Sequence, residues 1–333
     1  MDENQESKLC RNLETWMTDL PKQLKAVPLI HLAIPGSHDS FTSTIRSTSP
    51  VAPDSGELLL RLKWLGPLLG FPLKRWVRTQ DYNVVKQLKA GIRYFDLRIA
   101  TKDGTEQLFF VHGQYADDVV SVLNEIENFL DTHLKEVVII DCQHFYDFTS
   151  RDHDRLMQLL KATFGVKLLP YSTTMDHLTL DFITERYDYQ VIVIYRSDKA
   201  RFNEPFLWPG ASFPSPWPDT VSPTDLITQL SDDINRRPLR IAFVSQCVLT
   251  PTCNFIFRNL FGSLKSKCVI PLEKMKYKWL YNQTPGPRGV NVIISDFINM
   301  TEEKFAKAVI GLNEKLMWDD VSINGEDTLP RIE

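Results

Sequence analysis

Several features are scarce in this chain of 333 residues, and each absence removes a class of protein. There are five cysteines: Cys10, Cys142, Cys247, Cys253 and Cys268. They are odd in number, scattered, and include no CxxC pair, which fits a reducing compartment better than a disulfide framework. An excess of positive charge is missing. Lys+Arg is 38 and Asp+Glu is 42, for a formal charge of −4, which speaks against wrapping duplex nucleic acid. No run approaches the roughly 18 apolar residues of a membrane span. The opening MDENQESKLCRNLE has neither the basic nor the apolar region of a secretory signal. Asp2 stands where myristoylation needs glycine, and TLPRIE is no prenylation box. The expectation is a cytoplasmic protein, with cytosol and nucleus both open, that meets membranes only peripherally. A glycine-rich phosphate loop after the first strand is also missing, which weakens a nucleotide-binding sheet.

What is present is an ordinary globular composition, 43% hydrophobic and 24% charged. Short apolar runs rich in Val, Ile and Phe read as buried parallel strands. They are Ile30–Pro35, Arg93–Ile99, Leu108–His112, Glu136–Asp141, Gln190–Arg196, Leu239–Ser245 and Val290–Asp296. Amphipathic helices are expected over Asp117–Thr132, Asp152–Phe164 and Thr224–Asn235. A last helix is expected to open at Thr301 as N-cap. Alternating strand and helix means an α/β fold, either a doubly wound sheet or a barrel. Two stretches break the alternation: the Pro/Ser/Leu-rich Ser43–Trp76, and Trp208–Pro223 with its five prolines. A single domain is expected, with an N-terminal arm over 1–20, the main body over 21–318 and a C-terminal tail over 319–333.

Nearly every expected strand ends in a chemically useful residue. Ile34-Pro35 runs into Gly36-Ser37-His38-Asp39, where Gly36 is read as permitting a sharp turn. Asp96 and Arg98 share one face of their strand. Phe109–Val111 ends in His112-Gly113, Val137–Ile140 in Asp141 with Gln143 and His144 beyond, Val191–Tyr195 in Arg196, and Val292–Ser295 in Asp296. In a parallel barrel, catalytic groups come from the C-terminal ends of several strands. Two histidines can serve as general base and general acid, each oriented by a carboxylate, with Asp39 and Asp296 as candidates. An arginine beside them clamps a phosphate. Such a set suits in-line phosphodiester cleavage by a hydroxyl of the substrate itself. His31, His133, His153 and His177 have no such context and are read as structural. His144 is left open.

The strings IPGSHDS, AGIRYFDLRIA, FVHGQY, EVVIIDC and VNVIISDF resemble the X domain of phosphatidylinositol-specific phospholipase C. The likeness is greatest to the small X-domain-containing proteins of animals and spans about Trp16 to Trp318. It implies an irregular (β/α)8 TIM-type barrel that cleaves phosphatidylinositol to diacylglycerol and a cyclic inositol phosphate. His38 then corresponds to the base on the inositol 2-hydroxyl and His112 to the acid on the diacylglycerol oxygen. Asp296 would orient His38, Asp39 would support the acid side, and Arg98 would stabilise the phosphate beside Asp96. Arg196 and Gln143 would bind substrate. Calcium-dependent members carry an acidic ligand where Arg98 stands, and Cys142 or Gln143 falls where another is needed. No metal is therefore expected, with Ca²⁺ as the alternative. A lysine that bacterial members carry near Gln143 is absent.

A lipid substrate requires a membrane-facing rim. Trp64, Phe71 and Trp76, with Lys63, Lys74 and Arg75 alongside, are the first candidate. The Trp208–Trp217 loop is the second. Two other readings compete. A glycerophosphodiester-type barrel would carry His-Arg-Gly where Ser37-His38-Asp39 stands. A catalytically weak adaptor with the same barrel would bind phosphoinositides or membranes without turnover.

Overall fold

The computed structural model describes residues 7–55, 67–198 and 204–317, with side chains described for all of these but 67–71. Its sheet contains β1 (Ile34–Ser37), β2 (Tyr94–Ala100), β3 (Phe109–His112), β4 (Gln114–Asp118) and β5 (Val138–Tyr146). It continues with β6 (Val191–Tyr195), β7 (Leu207–Trp208), β8 (Val244–Cys247) and β9 (Val292–Ser295). The order is β7-β6-β5-β2-β1-β9-β8, and every neighbouring pair on this path is parallel. The two ends of the sheet are linked through an extended segment. Ala242 N donates to Ser212 O at 3.1 Å and Val244 N to Pro214 O at 2.9 Å. The result is the expected irregular α/β barrel.

The apolar runs form the barrel because it buries both faces of each strand. All five residues of β6 are buried, as is β5 from Val138 to Cys142. The outer helices present one apolar stripe each. In Val119–Thr132 the buried residues are Val119, Val122, Leu123, Ile126, Phe129 and Leu130, and the Asp118 side chain caps Ser121 N. Ser150–Phe164 opens with a capping box between Thr149 and Asp152. Pro223–Arg236 opens on a Ser222 cap with proline in the first turn.

Four expectations need correction. The run Leu108–His112 is no barrel strand. As β3 it pairs antiparallel with β2 and with β4, in a hairpin turned at Gly113 (φ +66°). An apolar run of that length carries no signal for the direction of its partner. The run Leu239–Ser245 enters the sheet only at Val244, and Leu239 is exposed. Thr301 caps nothing. Thr301, Glu302 and Glu303 all have left-handed backbone, and the helix begins at Lys304 with no side-chain cap. The segment read as an arm is, over residues 7–20, part of the core. Trp16 is fully buried and donates to Gly91 O at 2.9 Å, and Met17 and Leu20 are buried beside it. Thr18 reaches Glu136, whose carboxylate is paired with the fully buried Arg93 at 2.8 Å.

Among the described residues no disulfide forms; Cys253 is exposed and the other four cysteines are buried. Among the described residues, no helix is long and apolar enough to cross a membrane.

Candidate active site

The site is assembled from the C-terminal ends of β1, β3 and β9 and from two residues within β2, Asp96 and Arg98. The strand β1 starts later than expected, so Gly36 and Ser37 lie within it. Gly36 is needed for close packing rather than for a turn. A Cβ there would lie 2.8 Å from Ile294 and 2.9 Å from Tyr94 on the flanking strands. The sharp change of direction falls at Asp39, with φ +39°. This left-handed conformation is uncommon outside glycine and is tolerated best by Asn and Asp. Its neighbours over-determine it: Thr79 Oγ1 donates to Asp39 O at 2.8 Å, and Gln80 Nε2 donates to His38 O and Ser295 O at 2.9 Å each.

This backbone aims the Asp39 carboxylate between two imidazoles. His38 Nε2 and His112 Nε2 both lie 3.2 Å from Asp39 Oδ2. Arg98 Nε lies 2.7 Å from Asp39 Oδ1. These contacts are ionic rather than aligned hydrogen bonds, since both Asp39 oxygens lack an aligned donor. Each ring is held from behind. His38 Nδ1 donates to Asp296 Oδ1 at 2.8 Å, and His112 Nδ1 donates to Val77 O at 2.5 Å. A carboxylate and a carbonyl only accept, so each Nδ1 carries a proton and each Nε2 faces the site. The ring centroids are 6.4 Å apart. Asp96 completes the group, with Oδ2 3.8 Å from His38 Nε2.

Electrostatics follow from burial and pairing. Burial opposes a charge on His38, but Asp39 and Asp296 outweigh it and raise its pKa to about 9. Burial pushes Asp39 up as well, yet Arg98, His112 and His38 together hold it well below the usual carboxylate range. Asp96 has no such surplus of cations. Burial and then the Asp39 charge raise it to about 7.

The sign for folding stability is the same for both raised groups. The His38 contribution is complete below its unfolded value of about 6.5 and is lost as pH rises through about 9. The raised Asp96 costs stability progressively as pH rises from about 4 to about 7. Thermal melts should therefore show Tm falling between about pH 4 and 9, and Asp96→Asn should flatten the part of that decline below about pH 7. A Tm that climbs over this range would contradict the assignment.

All six residues expected to be catalytic, His38, Asp39, Asp96, Arg98, His112 and Asp296, converge here. The two substrate-binding candidates both contact Asp141, which pairs in register with Asp96. Arg196 spends its guanidinium on Asp141 (2.9 and 2.7 Å) and on Phe213 O (2.8 Å), while Tyr94 donates to the same Asp141. The carboxylate of this clamp is fully buried, and the guanidinium is 19% exposed. Gln143 is the residue bulged out of the β2–β5 register, and its amide donates to Asp141 Oδ2 at 3.3 Å. His144 is exposed, with its pKa lowered by partial burial and by Arg98.

Two site residues were missed from the sequence. Trp217 lies over the site, its ring 5.5 Å from the His38 ring and 5.8 Å from the Arg98 guanidinium carbon. The proline-rich loop signalled an aromatic cluster but not its direction. Asp54, in the Ser43–Trp76 stretch, accepts from Gly113 N at 2.8 Å and so braces the turn behind His112. Nothing in its local sequence marks it.

Among the described residues, His38, Asp39 and Asp96 can bring one ligand atom each within 4.8 Å of one another. Ca²⁺ takes six to eight oxygens. Here two carboxylates and one imidazole face the point, and Arg98 already lies against one of those carboxylates. The set does not fit Ca²⁺.

A family model, phosphatidylinositol-specific phospholipase C, X domain, matches residues 73–192. The zebrafish (Danio rerio) PI-PLC X domain-containing protein 3 is 39% identical over 302 residues, covering 90% of this chain and 92% of that one. The mouse (Mus musculus) PI-PLC X domain-containing protein 2 is 40% identical over 304 residues, covering 90% and 88%. The chain belongs to the PI-PLC X domain-containing family. The human (Homo sapiens) PI-PLC X domain-containing protein 1 is 36% identical, covering 93% and 95%. Among solved structures, the phosphatidylinositol-specific phospholipase C of Listeria monocytogenes superposes with TM-score 0.63 at 19% identity, covering 91% and 99%. This structural likeness carries the barrel fold of the family and nothing finer.

Of the membrane candidates, Trp76, Trp208 and Phe213 need correction, because they are buried. Trp64 and the side chain of Phe71 lie outside the described residues. Trp76 is only 4% exposed and packs edge-on against Phe255 at 6.2 Å. In the second candidate loop, Trp208 and Phe213 are core residues and Trp217 faces the site. An amphipathic stripe beside cations reads alike whether it faces lipid or a barrel. Trp76→Ala should act on stability, costing about 3–5 kcal/mol as buried aromatics do. Denaturant titration would show this as a lower midpoint. An unchanged midpoint with weaker vesicle binding would restore the membrane role.

Proposed function

We propose that this protein cleaves phosphatidylinositol as a phospholipase C-type phosphodiesterase, by general acid and base catalysis without a metal. The observation that carries the reading is the pair of Nε2 atoms directed at one carboxylate oxygen, 3.2 Å each, with Arg98 on the other oxygen. His38 Nε2 takes the proton of an inositol hydroxyl, and that oxygen forms a bond to phosphorus. The bond from phosphorus to the diacylglycerol oxygen breaks, and His112 Nε2 delivers a proton to that oxygen. Arg98 offsets the charge that develops on the phosphoryl oxygens. The products are diacylglycerol and a cyclic inositol phosphodiester, with the two histidines left in exchanged protonation states. The resemblance supplies the substrate class, and the named family of the relatives supports it.

The base must lose its proton before it acts. Its raised pKa implies that the acid limb of kcat/KM lies well above 6.5. Asp296→Asn removes one of the carboxylates that raises it, so the limb should move to lower pH while kcat falls. The check is a pH profile on a soluble short-chain phosphatidylinositol. A limb near 6.5 that Asp296→Asn leaves in place would count against His38 as the base.

We assign membrane contact to a different part of the rim. The helix Cys253–Arg258 and the turn after it expose Phe257 (62%), Leu260 (46%) and Phe261 (95%) beside Arg258. This segment belongs to the mouth, since Lys265 pairs with Asp81 at 3.0 Å and lies over the ring of Phe297, next to Asp296. Exposed aromatics beside cations suit an anionic lipid surface. Phe257→Ser with Phe261→Ser should depress turnover of vesicles and spare turnover of the soluble substrate. Equal loss on both would remove this assignment.

A further inference from the structure

A second concave surface lies on the flank of the barrel. It is a cleft of about 700 Å³ between the N-terminal strap, the helix Val84–Lys89 and the helix Lys304–Gly311. Five cations line it: Lys8 and Arg11 from the strap, Lys86 and Lys89 from the first helix, and Lys307 from the second. Among the described lining residues one carboxylate faces them, that of Glu303, and it already accepts from Tyr82 Oη at 3.1 Å. Glu14, just outside, approaches Lys89 at 3.7 Å.

This concentration is unusual for a chain of net charge −4. Lys86 and Lys89 are three apart on one helix, a like-charge spacing that destabilises it slightly. The cations come from three segments far apart in sequence, so the concentration is a product of the fold and not of a local basic run. Glu303 reaches the cleft from three consecutive residues with left-handed backbone, a conformation that costs energy at each non-glycine position. None of the cleft residues belongs to the His38–His112 site. Converging Lys and Arg side chains bind phosphate oxygens through charge-assisted hydrogen bonds.

We propose that the flank cleft binds a compact anion bearing several phosphates. Its volume suits one small molecule. Such an anion exists free in solution or as the headgroup of a lipid, and the experiment separates the two. The proposal stands independently of the catalytic reading.

The test titrates inositol hexakisphosphate into the full chain at about 0.15 M ionic strength, where exposed charges are screened within about 8 Å. Calorimetry reads the affinity and thermal melts read the stabilisation that binding to the folded state confers. Wild type should bind saturably, with a rise in Tm. Lys86→Glu with Lys89→Glu should weaken binding by about tenfold or more, as loss of charge-assisted phosphate contacts does. Lys22→Glu with Lys25→Glu, outside the cleft, changes total charge equally and should have no effect. If the first pair does not fold by circular dichroism, Lys8→Glu with Arg11→Glu reads the same cleft from the strap. A parallel arm uses phosphatidylcholine vesicles with and without phosphatidylinositol bisphosphate. Vesicle binding that depends on the cleft lysines assigns the site to a lipid headgroup. Cleft-dependent binding of the soluble probe alone assigns it to a free anion. Absence of wild-type binding, or equal weakening by the control pair, overturns the proposal. Turnover of the soluble substrate should be unchanged in all these variants, so failure here leaves the catalytic reading intact, and the reverse.

Discussion

His112→Ala should lower turnover of phosphatidylinositol by roughly 10³-fold, within the range that a positioned general acid contributes. The protein should remain folded, because His112 is at the rim with its side chain 21% exposed and its main polar anchor is the Val77 carbonyl. His38→Ala should lose about as much activity. It carries a larger structural cost, since Asp39, Asp96 and Asp296 then share a buried space without the imidazolium between them. Groups that act in one step are not additive, so the double variant should lose little more than either single one. The measurement is turnover with circular dichroism on each variant. A folded His112→Ala that kept near wild-type activity would remove the acid from the mechanism and leave the adaptor reading.

Arg98 carries the second large effect. Its Nε against Asp39 puts a planar cation at the point where the two imidazoles converge. Arg98→Lys keeps the charge but loses the fork that engages two oxygens at once. Turnover should fall by about 10²–10³-fold, as on removal of a charge-stabilising donor. Added Ca²⁺ should not rescue the variant, because the remaining donors are too few for that ion. Rescue by Ca²⁺ would show that the carboxylates beside Arg98 form a metal site once the guanidinium is gone. The comparison is turnover of each variant in chelator and in Ca²⁺.

Much of the fold and of the site was legible in the residues. The barrel strands are continuous apolar runs ending in polar groups, and parallel burial demands both features. Four of the six expected catalytic residues, His38, Asp39, His112 and Asp296, sit at or just beyond a strand end, and the other two, Asp96 and Arg98, lie within β2 beside them. What stayed hidden depends on contacts distant in sequence. The β3–β4 hairpin differs from a barrel strand only in the direction of its partners. Trp76 and Trp217 are both aromatics in irregular stretches, yet one packs on Phe255 and the other covers His38. Trp16 is buried against Gly91, 75 residues away, so a polar N-terminus gave no warning of it. The contacts of Arg196 with Asp141 and with the Gly210 and Phe213 carbonyls also join residues far apart in sequence. Gly36 was expected for a turn and is required by the closeness of Tyr94 and Ile294.

The most direct test of the central claim is turnover of phosphatidylinositol vesicles by the purified protein in excess chelator, followed through the phosphorus resonance of the product. The account predicts a cyclic inositol phosphodiester forming without metal, from wild type and not from His112→Ala. Folded protein that binds the vesicles and forms no product in chelator or in Ca²⁺ would contradict it.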